Sequence, residues 1–172
     1  MEEPRAPGVS QAAPAGAIDS RGAFAASLHE ALAAALARRA RRMVWVDPDF
    51  SGWPLDDAAW LQRLGEWLRL PQRRLLLLAS DFDGLRQRCP RFVAGYRLWS
   101  HAIAASSPLP EDAVELPSLL LAEGTVLVQL LDKSLWRGWS SSEPAALRSC
   151  QERVDALQQR AAPAFPVTTL GL

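Results

Sequence analysis

At 172 residues the chain is long enough for one ordinary domain with a sizeable core and short for two. A hydrophobic share of 49% against 22% charged residues excludes a disordered or fibrous polymer. Nineteen basic residues cancel nineteen acidic ones, so no net field draws the chain to polyanions, and nucleic acid is not an expected partner.

Lys133 is the one lysine among the nineteen cations, the rest being arginines, a bias that fits a GC-rich bacterial genome. Cys89 and Cys150 stand far apart without a CxxC partner, so they read as small buried hydrophobes of a reducing compartment. No apolar run approaches the ~20 residues that span a bilayer. The opening Glu2, Glu3 and Arg5, with two prolines among them, do not make a secretory signal. A cytoplasmic location without membrane contact is therefore expected.

Residues 1–19, rich in Ala, Pro and Gly without a hydrophobic period, are expected to be a disordered tail. Over 20–42, Phe24, Leu28, Leu32 and Leu36 recur every fourth residue and predict an amphipathic helix. It closes on Arg38, Arg39, Arg41 and Arg42, cations that suit the negative end of the helix dipole. The same cluster could meet a phosphate, but a solvated face is the plainer reading.

An α/β domain is placed over 43–162. The apolar run 43–46 predicts a buried strand, ended by Asp47-Pro48-Asp49. Asp56 is expected to cap a helix whose inner face is Trp60, Leu64, Trp67 and Leu68. The leucine run through 75–79 predicts a strand covered on both faces, and strand–helix–strand of this length is a βαβ unit. Asp81 is expected to cap a second helix, and Pro90 to start another with Phe92, Tyr96 and Trp99 on one face. A short strand is expected at 102–106 and an acidic loop at 107–115. Runs 119–122 and 126–131 flank Glu123-Gly124-Thr125 and predict a β-hairpin. Ser142, followed by Glu143-Pro144, reads as a helix start, with Leu147, Cys150, Val154, Leu157 and Ala161 facing inward. Residues 163–172 are expected to be an extended tail.

This order resembles one half of the phospholipase D-like fold, and the chain is similar to a proteobacterial family related to it. The phrases that carry the likeness are Val46-Asp47-Pro48-Asp49-Phe50, Glu115-Leu116-Pro117-Ser118-Leu119-Leu120-Leu121-Ala122-Glu123-Gly124, and the closing Phe165-Pro166-Val167-Thr168-Thr169-Leu170-Gly171-Leu172. The resemblance implies a single phospholipase D-like half: a mixed sheet flanked by helices, with an N-terminal helix and an extended C-terminal tail. Active members carry a His-x-Lys motif on a hairpin strand, an Asp a few residues on and a later Asn. Matched to this chain, those positions fall on Leu116, Ser118, Glu123 and Ser140. Leucine cannot attack phosphorus and serine cannot supply a fixed positive charge, so the resemblance implies a scaffold without that chemistry.

Asp47-Pro48-Asp49-Phe50-Ser51 at a strand end also resembles the nucleophile motif of haloacid-dehalogenase-type phosphatases. There one carboxylate attacks, its neighbour is the acid/base, and both help to hold Mg²⁺. Leu75 to Ser80 and Lys133 mimic the next two motifs, but no strand-end acidic pair follows Lys133. Turn and capping roles for Asp47 and Asp49 are the plainer reading. His101, after Trp99 at a helix end, has no nucleophile near it in sequence, and the helix dipole explains it more simply. Trp45, Trp60, Trp67 and Trp99 are expected in the core. Trp53, Trp136 and Trp139 are placed in loops, where Trp136 beside Arg137 could form a recognition patch.

The leading expectation is thus a non-catalytic domain that binds a protein or small molecule through Ser118, Glu123, Trp136, Arg137 and Ser140. It calls for no cofactor and no metal. Asp47, Asp49, Asp81 and His101 are secondary candidates. The alternatives are a Mg²⁺-dependent phosphatase using Asp47 and Asp49, and a homodimerising interaction module.

Overall fold

The computed structural model describes residues 16–165, over which eight strands form one open mixed sheet covered by six helices. Three short apolar runs, β2 (Arg42–Val46), β3 (Arg74–Leu78) and β4 (Ile103–Ser107), lie side by side and parallel. Parallel neighbours need crossovers, which α2 (Ala58–Leu68) and the pair α3 (Leu85–Arg88) and α4 (Pro90–Leu98) supply. On the other flank of β2 the chain turns antiparallel. The predicted hairpin is there as β5 (Ser118–Ala122) and β6 (Val126–Asp132), turning at Gly124 with φ 62°, and β7 (Arg137–Ser141) continues it.

The central strands bury both faces because helices cover both sides. Met43, Trp45, Leu75 and Leu77 pack with α1 (Arg21–Ala37), α2 and α4. Val44, Val46, Leu76 and Leu78 pack with Leu147, Cys150 and Val154 of α6 (Pro144–Arg160). The first layer is rich in aromatics: the Trp45 ring meets Trp53, Trp60 and Phe92 at centroid distances of 5.2–6.2 Å. Trp67 is fully buried and its indole donates to the Ala40 carbonyl at 2.8 Å, tying the end of α2 to the turn that follows α1.

Several expectations need correction. The helix expected over 20–42 stops at Ala37; Arg39 takes a left-handed φ of 56°, and Arg42 already pairs with Arg74 in the sheet. Both expected tails contribute edge strands. Ala17–Ile18 (β1) pairs with β7, and Ala162–Pro163 (β8) pairs with β4. Residues 1–15 and 166–172 lie outside the described residues. Within the expected acidic loop, Pro110–Ala113 forms a single helical turn, α5.

Capping is also reassigned. Asp57, not Asp56, caps α2, accepting from the Ala59 and Trp60 amides at 2.8 and 3.1 Å. Asp56 instead reaches the start of α4, accepting from the Arg91 and Phe92 amides at 2.8 and 3.0 Å. Asp81 caps no helix; it closes a local turn by accepting from the Asp83 amide at 2.7 Å. Glu143, not Ser142, precedes α6. Trp53 is buried, and Trp139 and Arg137 lie on β7, so the 136–140 segment is mostly strand and not loop. Trp99 is only partly buried at the end of α4. Both cysteines are buried and free. No helix among the described residues is long and apolar enough to cross a membrane.

Candidate functional site

The end of β2 runs directly into Asp47, whose side chain is fully buried at a junction of four segments. One carboxylate oxygen, Oδ1, accepts from the Asp49 amide at 3.0 Å, the Phe50 amide at 2.7 Å and Lys133 Nζ at 2.7 Å. The other, Oδ2, accepts from Trp53 Nε1 at 3.0 Å and Ser118 Oγ at 2.7 Å. The local sequence explains part of this. Proline at 48 cannot continue the ladder, and an Asp before it folds the chain back so that its own carboxylate meets the next two amides. Phe50 is thereby held at a left-handed φ of 58°, a costly conformation for an aromatic residue, maintained by five bonds to one anion.

Lys133, in the turn after β6, bridges Asp47 and Asp49, reaching Asp49 Oδ1 at 3.1 Å. Burial pushes the Asp49 carboxyl up. The Ser51 amide and hydroxyl and the Lys133 ammonium outweigh it and hold the group down at about 2. The pattern that resembled a phosphatase motif thus comes together in space, as Asp47, Asp49 and Lys133. Its geometry is that of a clamp: the expected nucleophile has no exposed surface and both its oxygens are engaged by donors. Ser80, the other mimic, lies exposed near the Ala113 carbonyl at 3.5 Å. Among the described residues no group of three His, Cys, Asp or Glu side chains is arranged to hold a metal ion.

Beside the clamp lies a cleft of about 630 Å³ between the β5–β6 hairpin and α6. Its apolar wall is Leu116, Leu119, Val154 and Leu157, and its polar groups include Ser118, Lys133, Arg153 and Arg160. Lys133 is paired with the two aspartates, and Arg160 with Asp112 at 3.0 Å. Arg153 makes no ion pair among the described residues; its guanidinium donates to Gln129 Oε1 at 3.4 Å. One cation facing an apolar wall is therefore left without a counter-ion there.

The five residues expected to form one pocket do not. Ser118 borders the cleft, but its hydroxyl is committed to Asp47. Glu123 sits in the turn at the other end of β5, with its amide on the Arg42 carbonyl at 3.0 Å. Trp136 packs on Phe24 and over Gly52 on the opposite face of the sheet. Arg137 and Ser140 lie on β7. The one-residue alternation of a strand, together with a five-residue span along β5, separates what is close in sequence. His101 is exposed in the turn after α4 with its ring 5.8 Å from that of Trp99, and Asp81 serves its turn. Sequence reasoning missed Arg153, whose only signal is a cation one position before the inward-facing Val154.

Fold and site together describe an open mixed-sheet α/β domain with a cleft beside one sheet face. A solved structure with a similar arrangement is that of TrmBL2, an archaeal chromatin protein with a novel mode of DNA binding. The TM-score is 0.59 at 10% identity, covering 86% of this chain and 54% of that one, so this chain spans about half the length of that protein. At that identity the likeness is one of fold. No family model and no curated protein matches. The setting aside of nucleic acid as a partner is corrected by this finding, since the fold occurs within a DNA-binding protein. The physical flaw lay in using net charge, a sum that is blind to where the charges sit.

Proposed function

We propose that the chain is a non-catalytic ligand-binding domain whose cleft between the β5–β6 hairpin and α6 takes a small, partly apolar anion, with Arg153 as its counter-ion. The observation that carries this is the Arg153 guanidinium, hydrogen-bonded to Gln129 but without an ion pair among the described residues, at the edge of an apolar-walled cleft large enough for such a molecule. The resemblance to a phospholipase D-like half agrees with a scaffold kept for binding. Leu116, at the position matched to that family's nucleophile, supplies apolar wall. The phosphatase alternative is weaker, because attack needs an Asp47 oxygen that is both reachable and free of donors.

Thermal shift with octanoate and with an aryl phosphate, each with Mg²⁺ present, tests the proposal. A rise in Tm with either probe that is lost in Arg153→Ala supports it. An equal rise in that variant, or no rise with either, overturns it for those anions. Release of phosphate, abolished by Asp47→Asn, would restore the phosphatase reading.

A second reading comes from the solved neighbour: contact with nucleic acid, as named for that chromatin protein. What favours it in this chain is the distribution of arginines at the end of the sheet away from the cleft.

A further inference from the structure

We infer that the end of the sheet where β2 and β3 begin is a contact surface for the phosphate backbone of double-stranded DNA, formed by Arg38, Arg39, Arg41, Arg69 and Arg74, with Arg73 buried behind them. The inference rests on the second reading above and gives it a surface.

Two turns bring these arginines together. Arg38, Arg39 and Arg41 lie between α1 and β2; Arg69 ends α2; Arg73 and Arg74 lead into β3. Parallel pairing places the two strand starts alongside each other, with the Arg74 amide on the Arg41 carbonyl at 3.0 Å. The Trp67–Ala40 bond holds the α2 end against the α1 turn. None of the six makes an ion pair among the described residues, whereas their neighbour Arg42 is paired with Asp155 at 3.0 Å. Arg73 is itself buried, and its Nε has no hydrogen-bond partner among the described residues. Burial lowers the pKa of its guanidinium, and the charges of Arg39 and Arg41 lower it further.

Offsetting the helix dipoles does not account for six cations. Three helices, α1, α2 and α4, end here, and each C-terminus is worth about −0.5 charge. Glu66 near the end of α2, Glu123 in the β5–β6 turn and Asp155, which is taken up by Arg42, are the acids at this end. The balance remains clearly positive. The compensating acids lie at the other end, in the loops that follow these strands: Asp49, Asp57, Asp81, Asp83, Glu111 and Glu115. A chain of zero net charge thus carries a local excess of positive charge where β2 and β3 begin.

Guanidinium forks suit phosphate oxygens, and a cluster fixed on two tight turns is suited to a rigid polyanion. Single strands bind proteins largely through exposed aromatic platforms. Here Trp67 is buried and Trp99 packs partly on the core, so the surface favours a duplex read through its backbone, without base specificity.

The test is anisotropy of a labelled mixed-sequence DNA duplex titrated with the full chain. Five phosphate contacts predict an affinity that falls about 500-fold between roughly 50 and 200 mM salt. Arg39→Gln/Arg41→Gln should reduce the log–log salt slope by about two, on any sequence. Arg86→Gln/Arg91→Gln, at the acidic end, removes the same charge and should bind as the wild type does. Equal binding by the Arg39/Arg41 variant overturns this surface while the nucleic-acid reading stands. No binding at about 50 mM salt overturns both. Tighter binding to an RNA duplex or a single strand overturns the assignment to double-stranded DNA.

Discussion

Replacing Asp47 by asparagine tests whether a single buried anion organises this end of the sheet. The amide must put an NH₂ group where one carboxylate oxygen was. Placing it at Oδ1 would oppose two backbone amides and Lys133 Nζ, so the less costly choice is Oδ2, opposite Trp53 Nε1 and Ser118 Oγ. The serine hydroxyl can rotate to accept, but the indole N–H cannot, which leaves one buried donor unpaired at a cost of about 1–3 kcal/mol. The charge-assisted share of the remaining bonds is also lost, bringing the total to about 3 kcal/mol. For a domain of this size that is roughly 6–12 °C in Tm, read by thermal denaturation on tryptophan fluorescence. Lys133→Met should couple with it, so that the double variant loses less than the sum of the two single losses. A Tm within about 2 °C of the parent, or strict additivity, would refute the account of Asp47 as the hub.

Asp56→Ala removes the carboxylate that meets two free amides of α4 and should cost about 1 kcal/mol, seen as a lower urea midpoint; an unchanged midpoint would show that α4 does not depend on it. The Asp49 carboxyl is held at about 2, below its ordinary 3.8, so its contribution is complete above about pH 4 and disappears as pH falls toward 2. With a side chain 40% exposed, that contribution is at most about 1 kcal/mol, and Asp49→Asn should flatten the stability profile over this window. Burial raises the pKa of both the Cys89 and the Cys150 thiols, so a thiol reagent near neutral pH should label them slowly in the native protein and rapidly in urea. Fast native labelling of either would contradict its burial.

Much of the fold was legible in order along the chain. The leucine run of β3 was readable as a strand covered on both faces because continuous burial leaves no alternation to find. The Trp60, Leu64, Trp67 and Leu68 stripe of α2 was readable because helical period and apolar spacing coincide. The Glu123-Gly124-Thr125 turn between two apolar runs was readable because glycine accepts the left-handed turn. The choice of cap between Asp56 and Asp57 was not, since adjacent aspartates have equal chemistry and the winner depends on where α4 arrives. The paired tails were also hidden, because two-residue edge strands take their stability from the strand they join.

What the residues determine by themselves is local: which runs can bury both faces, which prolines and glycines break them, and which side chains are charged. Only the tertiary structure decides that Asp47 meets Lys133 and Ser118, that Arg153 lies across a cleft from the β5–β6 hairpin, and that six arginines from two turns gather at one end of the sheet. Local structure follows from bonds among neighbours in sequence. Electrostatic and binding sites depend on distances between strangers in sequence, and strand order sets those distances.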